Sequence, residues 1–375
     1  MDLLSYVHLR NIYRSTGVGR VARELTQNMA RLPDVQARIL VDRGDYDRVI
    51  AKVGKPWTGF EYRFMQHETS RQQAIWFLTN RPKAEDYWPD VEVVHCTAES
   101  YVPVRKARLA VSCHDAQHFE PGVHKLSPWL LRHRLKWKLL FDRLDREADM
   151  FHMISEFAAE RTAHYFPTIA SRLRVVPNAA SESFFQPATE KGLQVLKQLG
   201  IEGRPFILAP GGLQHRKNAE LILDAWPRIH ERNAELILVV INWTDPVYQE
   251  RADALGASCV LGGFQEEEEL VALYRAAELV WFPTRYDGFG MPVIEAMASG
   301  TPVVSSNTSG IPEVAGSAAL LLSPDRPDEH IDAICGLLED TAAREDMTQR
   351  GMQRAQQYRW ERSAESLAAH LRSLL

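Results

Sequence analysis

The sequence predicts an α/β chain of two doubly wound domains, each built on a parallel sheet. Three observations carry that expectation. Short apolar runs alternate with longer amphipathic stretches along the chain. The runs are apolar throughout, as strands covered on both faces are, and do not alternate in the manner of half-exposed strands. The whole alternation occurs once in each half of a 375-residue chain, a length that suits two domains.

In the first half the predicted strands fall at residues 3–9, 37–41, 91–96, 109–113, 150–154 and 173–176. In the second half they fall at 206–209, 236–241, 259–261, 279–282 and 302–305. Helical periodicity of the kind that buries one face is read over 18–31, 221–231 and 270–277. The polar stretch 181–191 follows a strand end at Val176-Pro177-Asn178, which places the domains at 1–185 and 186–357. Residues 358–375 form a helix with no strand after it, a tail suited to packing back on the first domain. Residues 43–90 hold Trp57, Phe60, Tyr62, Phe64, Trp76, Phe77, Tyr87 and Trp88 without clear periodicity. They read either as a binding surface or as a helical excursion whose aromatics pack on the sheet.

The balance of 44 Lys and Arg against 49 Asp and Glu gives a formal net charge of −5, which argues against a nucleic-acid binder. An anionic ligand must therefore meet local positive charge. No apolar run approaches the roughly 18–20 residues of a membrane span, and the start of the chain, with Asp2, lacks signal-peptide order. Cys96, Cys113, Cys259 and Cys335 lie far apart with no CxxC pair, so buried thiols in a cytoplasmic protein are expected. Residues 126–146 are cationic with Trp129, Trp137, Leu139 and Leu140 interleaved. They read either as a helix resting on an anionic membrane at the inner face of the plasma membrane or as one packing an ordinary apolar stripe.

The segment after the predicted strand 279–282 carries the most chemistry. Gly288 and Gly290 permit a tight turn with close approach to the backbone. Pro292 suits the first turn of a helix that ends at Gly300. A strand therefore leads through a glycine loop into a helix N-terminus, where free amides and the helix dipole favour an anion. Asp287 and Glu295 stand eight positions apart and would repel a bare phosphate. Carboxylates there suit neutral hydroxyls, so a ligand with both phosphate and hydroxyls fits. Their plainer roles are a turn cap for Asp287 and a dipole partner for Glu295.

A second loop has the same form. The strand 206–209 is followed by Pro210-Gly211-Gly212 and then by Arg216-Lys217-Asn218, two adjacent cations suited to a diphosphate. In the first half, Thr16-Gly17-Val18-Gly19-Arg20 opens a helix without the full dinucleotide fingerprint. His114 and Asp115 close the strand 109–113, where His114 serves either a sugar hydroxyl or as a strand cap with Asp115; His118 is a lesser candidate.

The run from Asp287 through Glu295 to Val304 resembles the carboxylate-x7-Glu signature of the retaining GT-B glycosyltransferases of family 4. The resemblance extends to Gly310-Ile311-Pro312-Glu313, Gly211 to Asn218, Val176-Pro177-Asn178, Ser155-Glu156-Phe157 and Gly17-Val18-Gly19-Arg20. It implies two Rossmann-like domains facing across a cleft that closes over its substrates, the donor held by the second domain. It implies that Glu295 binds ribose hydroxyls, Arg216 and Lys217 the diphosphate, and Asp287 with the backbone at Gly288, Phe289, Gly290 and Met291 the donor sugar. Gly212 belongs to the same donor site, His114 sits beside the reacting sugar, and Gly17 lies near phosphate or acceptor. The family's first carboxylate is Glu; here it is Asp287, one methylene shorter.

The function expected is transfer of a hexose, mannose first, from a nucleoside diphosphate sugar to a saccharide or lipid-linked acceptor. GDP-mannose is the first donor and a UDP-sugar the second, with neither metal nor cofactor. The alternatives are a sugar-nucleotide epimerase, a phosphorylase, a glycosidase pairing Asp287 with Glu295, and a non-catalytic sugar-nucleotide sensor.

Overall fold

The computed structural model describes residues 1–8, 11, 17–42, 57 and 59–375. Contacts divide the chain into two compact units. The first comprises 1–119, 126–178 and 360–375; the second comprises 120–125 and 179–359.

The first unit is a seven-stranded sheet of order β3-β2-β1-β4-β5-β6-β7. Its strands are β1 (Asp2–Val7), β2 (Gln36–Val41), β3 (Glu61–Phe64), β4 (Val93–Cys96), β5 (Arg108–Cys113), β6 (Met150–Met153) and β7 (Leu173–Val175). All pairings are parallel, and β1 lies between β2 and β4. β4 and β6 are buried at every position, so they are apolar apart from one histidine each, His95 and His152.

β3 was not foreseen. It is the edge strand, and Glu61 and Arg63 are exposed while Tyr62 and Phe64 are half-buried, so its four residues show no apolar run. The aromatics around it serve packing. Trp57 joins Val7, Ala22, Ile39 and Val41, with Phe60, Tyr62 and Phe64 against them. Trp76, on the helix Thr69–Thr79, is fully buried edge-on to Tyr6 and donates to Pro82 O at 2.8 Å. The second of the two readings of this segment thus describes its described part; residues 43–56 and 58 lie outside the described residues.

The helix Pro128–Glu147 starts where the Ser127 hydroxyl accepts from Leu130 N at 3.2 Å. It has two apolar stripes. Leu130, Leu140, Phe141 and Leu144 are buried, whereas Leu131, Leu135 and Leu139, four residues apart, are 55, 59 and 52 % exposed. The C-terminal helix Trp360–Arg372 belongs to this unit, where Ser363 donates to Pro177 O and Arg372 to Asp34.

The second unit is a six-stranded parallel sheet of order β10-β9-β8-β11-β12-β13. Its strands are β8 (Phe206–Ala209), β9 (Ile237–Ile241), β10 (Cys259–Gly263), β11 (Leu279–Phe282), β12 (Val303–Ser306) and β13 (Leu320–Leu322). β13, also missed by the sequence pattern, is again a short half-buried edge strand. The order reverses between β8 and β11, which run side by side and have their successors on opposite sides. A doubly wound sheet opens a crevice at the carboxyl ends of such a pair, because the loops leaving the two strands turn apart. All four cysteines are free thiols. No helix among the described residues is long and apolar enough to cross a membrane.

Candidate active site

Both chemistry-bearing loops of the second unit leave the reversal point, one from β8 and one from β11. After β8 the chain passes Pro210 and Gly211 to Gly212, whose φ of +69° belongs to the left-handed region. A Cβ at Gly212 would stand 2.1 Å from Trp243 O, so no side chain fits there. The short turn His215–Lys217 follows, Asn218 adopts φ +61°, and the helix Ala219–Arg232 begins. After β11, Thr284 Oγ1 donates to Arg216 O at 3.1 Å, Arg285 N donates to the same oxygen at 2.9 Å, and Arg216 Nη1 donates to Tyr286 O at 3.0 Å. The two loops are therefore stitched through backbone atoms, and the cation pair is held where the second loop turns.

That turn centres on Asp287. Its Oδ1 accepts from Phe289 N at 3.2 Å and Gly290 N at 2.8 Å. Its Oδ2 takes the Lys217 ammonium and lies 3.7 Å from Arg216 Nη1. Burial opposes ionisation of this carboxyl, yet Lys217, Arg216 and the amides outweigh it and hold its pKa down at about 2. Lys217 is 7 % exposed, and its ammonium also sits 4.5 Å from the Phe282 ring centroid, a cation–π contact. Ser309 Oγ and Gly310 N close over the turn, the first accepting from Asp287 N at 3.1 Å and the second donating to Asp287 O at 3.0 Å.

The helix Met291–Ala298 starts after Gly290, which turns the chain at φ +100°. A helix leaves its first four amides without partners inside it. Here Pro292 has none, Val293 and Ile294 both bond Gly290 O, and Met291 is left among these four. Glu295 is 1 % exposed, and its Oε2 accepts from the Tyr274 hydroxyl at 3.1 Å. Tyr274 lies on the helix Glu267–Ala276, its carbonyl accepting from Thr301 Oγ1 at 2.6 Å and its ring edge-on to Phe184.

The structure thus brings together Gly212, Arg216, Lys217, Asp287, Gly288, Phe289, Gly290 and Met291 at one sheet edge, with Glu295 one turn into the helix behind them. One expectation is corrected. The amides of Phe289 and Gly290, expected to meet a sugar, are bonded to the Asp287 carboxylate. The Phe289 ring, 1 % exposed, packs edge-on to Tyr358 at 5.7 Å. Asp287 does cap a turn, the plainer of its two readings.

His114 and Gly17 belong to the first unit. His114 follows β5; its N donates to Glu99 Oε1 at 2.6 Å, and its Nε2 lies 3.3 Å from Thr97 O. That carbonyl accepts only, so Nε2 is the donor of the pair. Asp115 Oδ1 accepts from Gln117 N at 3.1 Å. His118 packs edge-on against Trp129 and Trp137. Gly17 opens the helix Gly17–Ala30, with open space where a Cβ would stand, and Thr16 lies outside the described residues. Sequence reasoning missed Glu99, Tyr274 and Ser309. Glu99 had a signal, since it follows β4 at the edge His114 occupies; Tyr274 reads as one more apolar helix position. Among the described residues no three His, Cys, Asp or Glu side chains gather to hold a metal ion.

Two Rossmann-like parallel sheets, the second carrying a cation pair and a carboxylate-x7-Glu loop at its reversal point, define the GT-B class of glycosyltransferase. A family model described as glycosyl transferases group 1 matches residues 194–354, and one described as Glycosyltransferase Family 4 matches residues 15–183. The chain belongs to the family 4-like GT-B glycosyltransferases. The O-antigen chain mannosyltransferase B of Escherichia coli is 27 % identical over 363 residues, covering 93 % of this chain and 94 % of that one. A D-inositol 3-phosphate glycosyltransferase of Corynebacterium urealyticum is 31 % identical over 219 residues, 54 % of this chain and 52 % of that one. In fold, Anabaena Alr3699/HepE, solved with UDP and glucose, matches at a TM-score of 0.73 and 15 % identity over the whole of both chains. WaaG, a glycosyltransferase involved in lipopolysaccharide biosynthesis, matches at a TM-score of 0.74 and 13 % identity over 98 % of both.

Proposed function

We propose that this glycosyltransferase moves a hexose, mannose first, from a nucleoside diphosphate sugar to a saccharide or lipid-linked saccharide in surface polysaccharide synthesis, with retention at the anomeric carbon. GDP-mannose is the first donor and a UDP-sugar the second. The observation that carries the reading is the convergence of Arg216 and Lys217 on the β11 loop where the second sheet reverses. The mannosyltransferase relative, similar over nearly its whole length, supports the sugar.

In this reading the bond between the sugar C1 and the diphosphate oxygen breaks, and a bond from C1 to the acceptor oxygen forms on the same face. Positive charge develops on the sugar and negative charge on the leaving phosphate. Arg216, Lys217 and the Met291 amide meet the negative charge from fixed positions, which is preorganised electrostatic stabilisation by the protein's own cations in place of a metal. The acceptor hydroxyl passes its proton to the leaving phosphate oxygen, so no side-chain nucleophile is required. Glu295 accepts from the ribose hydroxyls, and Tyr274 holds its orientation.

A saccharide built on lipid brings the acceptor to a membrane surface, and the helix Pro128–Glu147 suits one. Arg132, Lys136 and Lys138 are exposed beside its outward leucines, and each such cation near an anionic surface contributes about 1 kcal/mol. Sedimentation with anionic vesicles that weakens with salt, and is lost in Leu135→Asp, is expected. Equal retention on neutral and anionic vesicles removes the contact.

The central test is thermal unfolding with GDP-, UDP-, ADP- and dTDP-sugars. A ligand at a hundred times its Kd stabilises the native state by about 2.7 kcal/mol, so one nucleotide raises the melting temperature while the others do not. A panel that leaves the transition unmoved overturns the proposal.

A further inference from the structure

We infer that Glu99 is the carboxylate through which the first unit holds a neutral saccharide acceptor, accepting from one of its hydroxyls, and that it turns phosphorylated acceptors away. The inference rests on the glycosyl-transfer reading and names the acceptor class which that reading leaves open.

The order of the first sheet reverses at β1, since β2 lies on one side of it and β4 on the other. The carboxyl ends of β1 and β4 are therefore a second ligand edge, for the same reason as those of β8 and β11 in the other unit. The loop that leaves β4 is pinned there from three sides. Thr97 N and Oγ1 both donate to Tyr6 O of β1, at 3.1 and 3.0 Å. Ser100 Oγ donates to Ala98 O at 2.9 Å and accepts from His8 Nε2, just past β1, at 2.9 Å. Thr97 O accepts from His114 Nε2, just past β5, at 3.3 Å.

In this loop Thr97, Ala98 and Ser100 are buried, and Glu99 alone is half-buried. Its Oε1 accepts from His114 N at 2.6 Å, which fixes the side chain. Its Oε2 makes no hydrogen bond among the described residues. A carboxylate held by one oxygen and open at the other accepts a hydroxyl with little further loss of side-chain freedom.

Charge sets the class of acceptor. In the second unit Asp287 has Lys217 and Arg216 beside it. Glu99 forms no ion pair among the described residues. After burial itself, its charge helps to hold the Cys113 thiol protonated. A negative charge without a counter-ion attracts the positive end of a hydroxyl and repels a phosphate. Glu99 takes no proton in the transfer; the acceptor proton still passes to the leaving phosphate oxygen.

Transfer assays with the wild-type chain and Glu99→Gln make the test, with GDP-mannose and UDP-glucose as donors. The acceptor probes are octyl α-mannoside, octyl α-glucoside and the phosphate monoesters of both. Glutamine keeps an oxygen for His114 N and replaces the open one with an amide nitrogen, which cannot accept. Losing a charged hydrogen bond of this kind should raise the acceptor KM by about ten- to hundredfold with the donor KM little changed, and transfer should fall much further than hydrolysis of the same donor by water. The wild-type chain should use the neutral glycosides about tenfold better in kcat/KM than their phosphates, a gap the variant narrows. A wild-type preference for the phosphates overturns the inference, and so does an unchanged acceptor KM in the variant. Equal loss of transfer and hydrolysis also overturns it, since Glu99 then acts on the donor by way of His114. Donor hydrolysis without transfer to any of the four probes has the same consequence. A chain that neither transfers from nor hydrolyses either donor sinks the glycosyltransferase reading itself, a distinct result. The wild-type preference needs no variant, so it decides the matter should Glu99→Gln fold poorly.

Discussion

Acid should loosen the first unit well above the pH at which carboxylates protonate. Three adjacent strands carry a buried chain of hydrogen bonds: His95 Nε2 to Ser112 Oγ at 2.8 Å, Ser112 Oγ to His152 Nδ1 at 2.8 Å, and His152 Nε2 to Val176 O at 2.9 Å. The carbonyl fixes every direction. His152 Nε2 must donate to it, so Nδ1 accepts from the serine, whose oxygen accepts in turn from His95 Nε2. Both rings are neutral in this chain. Burial above all pushes His95 down to about 3 and His152 to about 4, from an ordinary 6.5. Unfolded imidazoles take up protons below about 6.5, and the folded ones do not until far lower. Between those limits the unfolded state binds more protons, so stability falls as the pH falls. The slope approaches about 1.4 kcal/mol per pH unit for each ring below its unfolded pKa, which integrates to about 3 kcal/mol for the two between pH 6.5 and 5. That is a large part of the 5–15 kcal/mol typical of a folded domain. Hydrogen exchange at the amides of β4, β5 and β6, corrected for intrinsic rates, reads it within this unit alone. Protection should drop by roughly two- to three-hundredfold from pH 6.5 to 5, and His152→Gln should lose about half of that dependence on a logarithmic scale. Protection that is flat over this range, or a variant with the wild-type slope, refutes the reasoning.

The remaining predictions concern the second unit. Arg216→Ala and Lys217→Ala should each lower turnover by about 10²–10³-fold, the scale of losing one fixed stabiliser of developing charge; steady-state rates within twofold of wild type would remove that role. Tyr274→Phe deletes the hydroxyl that donates to Glu295 Oε2 and should weaken nucleotide binding by about 1 kcal/mol, whereas Glu295→Ala should weaken it more. Titration showing no change in either variant takes Glu295 out of the site. Gly212→Ala combines φ +69° with a Cβ 2.1 Å from Trp243 O and should cost about 2 kcal/mol or more, read as a lower melting temperature; an unchanged transition would mean the loop relaxes freely.

The same physics decides which parts of this molecule could be read from its sequence. A central strand such as β9 is buried on both faces, so Ile237 to Ile241 must all be apolar and the run announces itself. An edge strand has no such constraint. β3 keeps Glu61 and Arg63 in water and leaves only Tyr62 and Phe64 as a trace, so it dissolves into the surrounding aromatics. The site divides in the same way. Glycine, proline and paired cations in a strand–loop–helix setting are local signals, and they placed Gly212, Arg216, Lys217 and Gly290 at one sheet edge. Pairings across long stretches of sequence are not local. Lys217 and Asp287 stand 70 positions apart, and nothing in either neighbourhood says that the carboxylate would meet the lysine. The Asp287 carboxylate caps its own turn and also meets Lys217, so two groups that look independent in sequence form one ion pair. A motif read as a set of residue types cannot carry that distinction, because it lies in which charges remain available once the loop has satisfied itself.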